Sequence, residues 1–174
     1  MNKLNPLKFG IIGCSRIARK SVIPAILKSE FAELEIIGSR TVEKSKEFSS
    51  EFNCKKNGTY DDVIFDDSIN AVYISTPIGT HAELAIKAAS AGKHVYCEKP
   101  IGNSVGECRA MVAAQERYGN VVQVGQWIQW HKEKRCRDAE ASRIYSIFIP
   151  RFFSDISNNQ RVAEARRKRL KALD

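Results

Sequence analysis

Short apolar runs alternate with helix-like segments along the first 125 residues, and this alternation restricts the fold more than any other feature. Runs typical of buried strands lie at residues 8–12, 34–39, 71–75, 93–97 and 121–124. Helical segments are predicted at 16–29, with Pro24 interrupting the pattern, and at 42–52, 60–65, 80–91 and 104–118. Because no hairpin signal joins two strands, the predicted fold class is α/β, a doubly wound parallel sheet with helices on both faces.

The first predicted strand ends in a glycine turn with the sequence Gly-Cys-Ser-Arg-Ile-Ala at residues 13–18. A tight turn from strand to helix presents backbone N–H groups and the positive end of a helix dipole, which favour a pyrophosphate. The dinucleotide pattern is Gly-x-Gly-x-x-Gly/Ala, and Ser15 replaces its second glycine. Serine is small and can hydrogen-bond an oxygen, so we expect binding to survive. A generic strand-to-helix turn of another α/β protein fits the segment equally well.

Basic residues follow the second predicted strand. An acidic residue there would accept hydrogen bonds from the ribose hydroxyls of adenosine and would repel a 2′-phosphate. This chain instead has Ser39-Arg40-Thr41, with Lys44 close behind. A guanidinium can hold a phosphate through several donors and can stack on adenine, so the sequence favours NADP over NAD. The alternative is that Arg40 and Lys44 are solvated charges.

The segment 75–81 follows a later predicted strand and should border the same crevice. Pro77 offers a rigid apolar wall, and Thr80 could cap the helix that begins there. We expect His81 to lie near the cofactor without proton chemistry. The alternative is an ordinary histidine in the first turn of a helix.

Glu98-Lys99-Pro100 occupies the equivalent position after the next predicted strand. A lysine beside a dinucleotide and a carbinol can orient the hydroxyl and favour its deprotonation. Glu98 could position that lysine or bind the nicotinamide ribose, and a cis peptide before Pro100 would aim Lys99 inward. An isolated Lys-Pro pair is more commonly a surface lysine before a proline that starts a helix.

These segments together resemble the glucose–fructose oxidoreductase, inositol dehydrogenase and MocA family. The resemblance covers roughly residues 8–126 and rests on GIIGCSRIA, STPIGTH and, most specifically, AGKHVYCEKP. It implies hydride transfer between NAD(P) and a sugar, cyclitol or related polyol, with Lys99 contributing to catalysis beside the cofactor. The chain departs from the family at Ile78, where asparagine is frequent, and at Gln129, where arginine is common.

The sequence therefore nominates one catalytic residue, Lys99, and no metal site. The residues predicted to bind NADP, the preferred cofactor, or NAD are Gly13, Cys14, Ser15, Arg16, Ile17, Ser39, Arg40, Lys44, Thr76, Pro77, His81, Glu98, Lys99 and Gln126.

Residues 1–126 are interpreted as the dinucleotide-binding domain, and residues 127–174 as a remnant of a second α+β substrate domain with a basic tail. Most of the net charge of +8 falls after residue 130. The resemblance implies an Asp-x-x-x-His pair in the second domain, but Asp155 has no histidine four residues later. We expect a truncated end rather than one that pairs with another chain. Nucleic-acid binding by the tail is disfavoured against a solvated charge run.

Five scattered cysteines without a Cys-x-x-Cys spacing indicate neither a disulfide framework nor a structural zinc site. Without an apolar run of membrane-spanning length or a signal-peptide pattern, a cytoplasmic protein without membrane contacts is expected. Association into a homo-oligomer is a further expectation from the resemblance. The alternative function is a non-catalytic NAD(P)-binding module or a partner subunit that lacks the substrate domain.

Overall fold

The computed structural model describes residues 5–125, which form one sheet covered by helices on both faces. The six strands are all parallel and lie in the order β3-β2-β1-β4-β5-β6. In chain order they are β1 (Leu7–Ile12), β2 (Ala32–Gly38), β3 (Lys56–Gly58), β4 (Ala71–Ile74), β5 (His94–Cys97) and β6 (Val122–Val124).

Five α-helices connect the described strands. They are α1 (Ile23–Lys28), α2 (Val42–Glu51), α3 (Tyr60–Ile64), α4 (His81–Ser90) and α5 (Val105–Tyr118). A π-helical turn, Ala18–Val22, leads into α1, and a 3-10 turn, Ile78–Thr80, leads into α4. Pro24 lies in the first turn of α1, where its missing N–H removes no bond from the helix interior. The interrupted segment predicted at 16–29 is therefore a π turn followed by a short α-helix.

Alternate residues of the central strands supply two separate cores. Phe9 and Ile11 of β1 belong to one cluster, which includes buried residues of α1 and Phe48 of α2. Ile12 at the end of β1 faces the other cluster, which includes α3, α4 and Met111 of α5. Burial of apolar side chains on both faces is the expected condition of a parallel sheet, so the sheet is a rigid support for the loops at its edges.

The predicted doubly wound α/β fold is confirmed, including the helix at 104–118 that begins at Ser104 and ends at Gly119. The Ser104 hydroxyl accepts the N–H of Glu107 at 3.2 Å, and Gly119 has a φ of +69°. One element was not predicted, the three-residue strand β3. Its sequence Lys-Asn-Gly has no apolar residue, and it is an edge strand that pairs with β2 alone.

The strand order reverses at β1, because the chain passes from β3 at one edge of the sheet to β4 on the other side of β1. The chain builds β2 and β3 on one side of β1, and then β4, β5 and β6 on the other. A crevice forms at such a reversal, beyond the carboxyl ends of the strands. Within residues 5–125, no helix has both the length and the apolar character needed to cross a bilayer. The predictions for Gln126 and for residues 127–174 lie outside the described residues.

Candidate functional site

The turn after β1 and the end of β4 meet at the centre of the crevice. Gly13 is buried and has a φ of +105°, and a Cβ on it would lie 3.1 Å from the backbone carbonyl of Ser75. The Ser75 hydroxyl donates to the carbonyl oxygen of Gly13 at 3.1 Å, and the N–H of Gly13 donates to Gly38 at 2.9 Å. Glycine alone combines this φ with this close approach at no steric cost.

Ser15, which replaces the second glycine of the pattern, uses its side chain within the turn. Its hydroxyl accepts the N–H of Ala18 at 3.1 Å, and its carbonyl accepts the N–H of Arg19 at 3.1 Å. The serine therefore satisfies a donor at the start of the helical segment, as a capping side chain does. The side chain is accommodated without closing the crevice, since Ser15 is itself part of the lining.

A cavity of about 390 Å³, here called the basic cavity, lies between the turn after β1 and the end of β2. Two cationic residues, Arg40 and Lys44, form part of its wall, and none of the described lining residues is acidic. The full set of described lining residues is Gly13, Cys14, Ser15, Ser39, Arg40, Thr41, Lys44, Tyr60, Ser75, Thr76 and Pro77.

Two ionisable groups of the basic cavity are neutral near pH 7. Burial raises the pKa of the Cys14 thiol above its ordinary value, against opposing effects of Ser39 and Lys44. Burial also raises the pKa of Tyr60, against the opposing positive charge of Arg40. The fixed charge of this cavity therefore comes from Arg40 and Lys44, and it favours an anionic group.

A second cavity, of about 340 Å³ and here called the lysine cavity, adjoins the first at Ser75 and Thr76. It lies at the carboxyl ends of β4 and β5. Its described lining residues are Ile17, Ser75, Thr76, Ile78, His81, Glu98, Lys99 and Pro100. The two cavities together give an elongated cleft that is basic at one end and contains a lysine beside a carboxylate at the other.

Glu98 is a buried carboxylate, 7% exposed, that supports the Lys99 segment. Its Oε1 accepts the hydroxyl of Tyr73 at 2.8 Å, and its Oε2 accepts the backbone N–H of Lys99 at 3.1 Å. Lys99 is exposed, and the peptide bond between Lys99 and Pro100 is cis, as the sequence predicted. The hydrogen bond to Glu98 therefore holds the backbone of Lys99, while the lysine itself lines the lysine cavity.

His81 joins the two loops that line the lysine cavity. Its Nδ1 lies 2.9 Å from the carbonyl oxygen of Pro100, and its Nε2 lies 2.8 Å from that of Thr76. The residue is 2% exposed. Thr80 continues the same network, since its hydroxyl donates to Thr76 at 2.7 Å. Both ring nitrogens of His81 face backbone oxygens, and this arrangement links the two loops.

Cys97, at the end of β5, is fully buried, and burial raises its pKa to about 12, so it stays a neutral thiol. Among residues 5–125, no cluster of histidine, cysteine and acidic side chains has the arrangement of a metal site.

Most residues nominated from the sequence converge on this cleft. Arg16 is an exception, being exposed and, in the described part of the chain, outside both linings. Sequence reasoning missed Tyr60, because the strand that places it at the cleft was itself not predicted. It also missed Tyr73 as a partner of Glu98, since a tyrosine inside an apolar run reads as an ordinary core residue. Whether each nominated side chain contacts a cofactor stays a prediction.

Comparison with known proteins finds a family match over the part of the chain that forms the sheet and the cleft. A family model described as an oxidoreductase family with an NAD-binding Rossmann fold, that of glucose–fructose oxidoreductase, inositol dehydrogenase and MocA, matches residues 7–126. An uncharacterised oxidoreductase of Rhizobium meliloti is 38% identical over 128 residues, which are 73% of this chain and 38% of that protein. The NADP(+)-dependent D-xylose 1-dehydrogenase 2 of Haloferax volcanii is 34% identical over 143 residues, 81% of this chain and 44% of that protein.

Solved structures of oxidoreductases also superimpose on about three quarters of this chain. A 3-ketoreductase from Actinomadura kijaniata, in complex with TDP-benzene and NADP, superimposes with a TM-score of 0.70 at 30% identity, covering 73% of this chain and 40% of that one. A myo-inositol 2-dehydrogenase from Lactobacillus plantarum superimposes with a TM-score of 0.66 at 26% identity, covering 73% and 38%. This chain thus spans less than half the length of these relatives.

Proposed function

Because this chain belongs to the glucose–fructose oxidoreductase, inositol dehydrogenase and MocA family of oxidoreductases, we propose that it binds NADP, or NAD, and serves in hydride transfer to or from a sugar, cyclitol or related polyol. One observation carries the proposal. Lys99, supported by the buried carboxylate of Glu98, lines a cavity that adjoins a glycine turn of the dinucleotide type.

The cleft fits a dinucleotide in shape and charge. The close approach at Gly13 leaves room for a pyrophosphate against the backbone of the turn. Arg40 and Lys44 line the end where an adenosine 2′-phosphate would lie, and none of the described lining residues there is a carboxylate that would repel it. This charge supports NADP as the preferred cofactor.

The lysine cavity supports the chemical assignment. A bound nicotinamide would supply the hydride acceptor or donor. Lys99 would hydrogen-bond the substrate hydroxyl and take part in its proton transfer. Glu98 would hold the Lys99 backbone, and Pro77, which lines the basic cavity next to Thr76, would act as an apolar wall where the two cavities adjoin. The relatives include a xylose dehydrogenase, a 3-ketoreductase and an inositol dehydrogenase, which supports a sugar-like substrate.

The first experiment tests cofactor binding separately from catalysis. The protein is titrated with NADPH and with NADH, and reduced nicotinamide fluorescence is followed, with circular dichroism confirming the fold. We expect saturable binding with a lower Kd for NADPH. A folded protein that binds neither nucleotide would refute the proposal.

The second experiment tests turnover with a panel of sugars and polyols. The wild type and Lys99→Ala are compared with both cofactors, and the absorbance of the reduced nicotinamide is followed. We expect turnover that Lys99→Ala lowers by at least about 100-fold, within the range for loss of a general acid–base group. Normal cofactor binding without turnover of any substrate would favour the alternative, a non-catalytic NAD(P)-binding module or partner subunit.

Two further expectations belong to this proposal. Homo-oligomer formation is tested by light scattering coupled to size-exclusion chromatography, where a monomer mass at all concentrations would count against it. A cytoplasmic location is tested by fractionation of cells that express the protein, where recovery with membranes would count against it.

A further inference from the structure

Tyr73 carries a polar group into the sheet at a position where an apolar side chain would fill the core. It lies in β4 and is 0% exposed. The centroid of its ring lies 5.3 Å from the ring centroid of Tyr96 on the neighbouring strand β5. Its neighbours along the strand, Val72 and Ile74, are fully buried in the core on the other face. The hydroxyl of Tyr73 is therefore held by packing, and its direction is set by the sheet.

The Tyr73 hydroxyl donates a hydrogen bond to the carboxylate of Glu98. The distance from the Tyr73 hydroxyl to Glu98 Oε1 is 2.8 Å, and the second carboxylate oxygen accepts the backbone N–H of Lys99 at 3.1 Å. Each carboxylate oxygen thus accepts a hydrogen bond, one from the core and one from the catalytic segment. A carboxylate that is 7% exposed depends on such donors, because burial of a charge without partners is costly.

The lack of a side chain at Gly125 leaves space for the carboxylate of Glu98. Gly125 follows β6, and a Cβ added to it would lie 3.1 Å from the carboxylate carbon and from Oε1 of Glu98. The N–H of Gly125 donates to the carbonyl of Cys97, so the pairing of β5 with β6 brings the backbone close to the carboxylate. The carboxylate of Glu98, which directly follows β5, therefore lies between the Tyr73 hydroxyl of β4 and the backbone of Gly125 after β6.

We propose that Tyr73 is a positioning residue that acts on Lys99 through Glu98. The tyrosine hydroxyl orients the carboxylate, and the carboxylate fixes the backbone N–H of Lys99, so that the lysine side chain is directed into the lysine cavity. The inference rests on the proposed function for the role of Lys99. The arrangement itself concerns only residues of this chain and can be tested without substrate.

The test is a double-mutant cycle with Tyr73→Phe, Glu98→Gln and the double variant. Phenylalanine removes the hydroxyl and keeps the ring, and glutamine keeps the shape of Glu98 without its charge. The first readout is the hydrogen-exchange rate of the Lys99 amide, measured by NMR on the protein without ligand. The Glu98 amide, which donates to Ile74 at 2.9 Å, is the internal control for the sheet.

We expect Tyr73→Phe to speed exchange of the Lys99 amide about tenfold, the size expected when a hydrogen bond to a charged group is weakened. The Glu98 amide should stay within about twofold of the wild type. In the Glu98→Gln background, Tyr73→Phe should have no further effect on the Lys99 amide. An unchanged Lys99 amide in Tyr73→Phe, or additive effects in the double variant, would overturn the proposal.

Kinetics supply the second readout and separate positioning from general weakening. With a substrate found in the panel, Tyr73→Phe should lower kcat about tenfold while the KM for NADPH changes less than about twofold. Equal loss in both constants would contradict a positioning role. If Tyr73→Phe does not fold, the double variant, in which residue 98 carries no charge, is compared with Glu98→Gln. Absence of both NADPH and NADH binding to the folded wild type would refute the proposed function and leave the amide-exchange result intact.

Discussion

His81 bridges two backbone oxygens, those of Thr76 and Pro100, at 2.8 and 2.9 Å. His81 is the first residue of α4, and its two ring nitrogens contact the loop after β4 and the loop after β5. These loops form much of the lysine cavity, so the histidine links two parts of the cavity wall through its ring nitrogens.

Replacement of His81 should therefore loosen both loops. We expect His81→Phe, which keeps a planar ring, to lower the free energy of unfolding by about 0.5–1.5 kcal/mol, since the backbone carbonyls of Thr76 and Pro100 lose their partner. NADPH affinity should fall as well, by about three- to tenfold. Urea denaturation and fluorescence titration measure the two effects. His81→Gln, which retains a donor, should restore part of the loss, and equal stability of the His81→Phe variant and the wild type would contradict the bridge.

The charge of the basic cavity predicts cofactor preference. Arg40→Asp should raise the Kd for NADPH at least about tenfold and leave that for NADH within about threefold, because a carboxylate would repel a 2′-phosphate. Fluorescence titration with each nucleotide measures both constants. The control is Arg109→Asp, the same charge reversal on an exposed residue of α5. An unchanged preference in Arg40→Asp would refute the assignment of this cavity to the phosphate.

Gly13 and Gly92 both have a positive φ, but only at Gly13 would an added Cβ approach other atoms closely. Variants at the two positions therefore distinguish the effect of backbone strain from that of steric contact. A Cβ on Gly13 would lie 3.1 Å from the Ser75 backbone, whereas a Cβ on Gly92, with a φ of +81°, would have no atom within 4 Å. We expect Gly92→Ala to cost about 1 kcal/mol from strain alone and to leave NADPH binding unchanged. Gly13→Ala should cost about 2–3 kcal/mol and weaken NADPH binding at least about tenfold. Equal behaviour of the two variants in denaturation and titration would argue against the close approach.

His94 makes the stability of the sheet depend on pH. Burial lowers its pKa to about 4, and its Nδ1 accepts the N–H of Val121 at 3.1 Å, which requires the neutral ring. The unfolded chain takes up this proton near a pH of about 6.5, so the stabilisation is complete above that pH and is lost as the pH falls towards the pKa of the folded state. Between pH 7 and 5 the loss should be at most about 2 kcal/mol.

Urea denaturation at pH 7, 6 and 5 checks this dependence against His94→Gln. The glutamine variant has no titrating ring, so its free energy of unfolding should vary less over this interval than that of the wild type. Parallel curves for the two proteins would show that His94 does not carry the effect.

The alternation of apolar runs was sufficient to predict the parallel sheet, because buried strands in such a sheet have few polar positions. β3 escaped prediction for the opposite reason. Its residues pair with a single neighbour, and Lys56 reaches outward to ion pairs with Glu35 and Asp66 at 3.2 and 3.0 Å. A three-residue edge strand without apolar side chains leaves no hydrophobic pattern in the sequence, whereas the other edge strand, β6, contains Val122 and Val124 and was predicted.

The cleft was predicted in part. Residues that closely follow strands, such as Gly13, Arg40 and Lys99, were found because the carboxyl ends of parallel strands share one edge. Tyr73 and Gly125 were not found, since their importance arises from contact with Glu98 across neighbouring strands. Local patterns carry no information about such lateral contacts, which depend on strand order and register.

The hydrogen bond from Ser75 to the carbonyl of Gly13 has a consequence for how a ligand is received. It joins the ends of β1 and β4 where the two cavities adjoin, so a contact within the protein itself sets the position of one half of the cleft relative to the other. A long ligand that spans both halves therefore meets a preorganised surface, and little of its binding energy is consumed in ordering the protein.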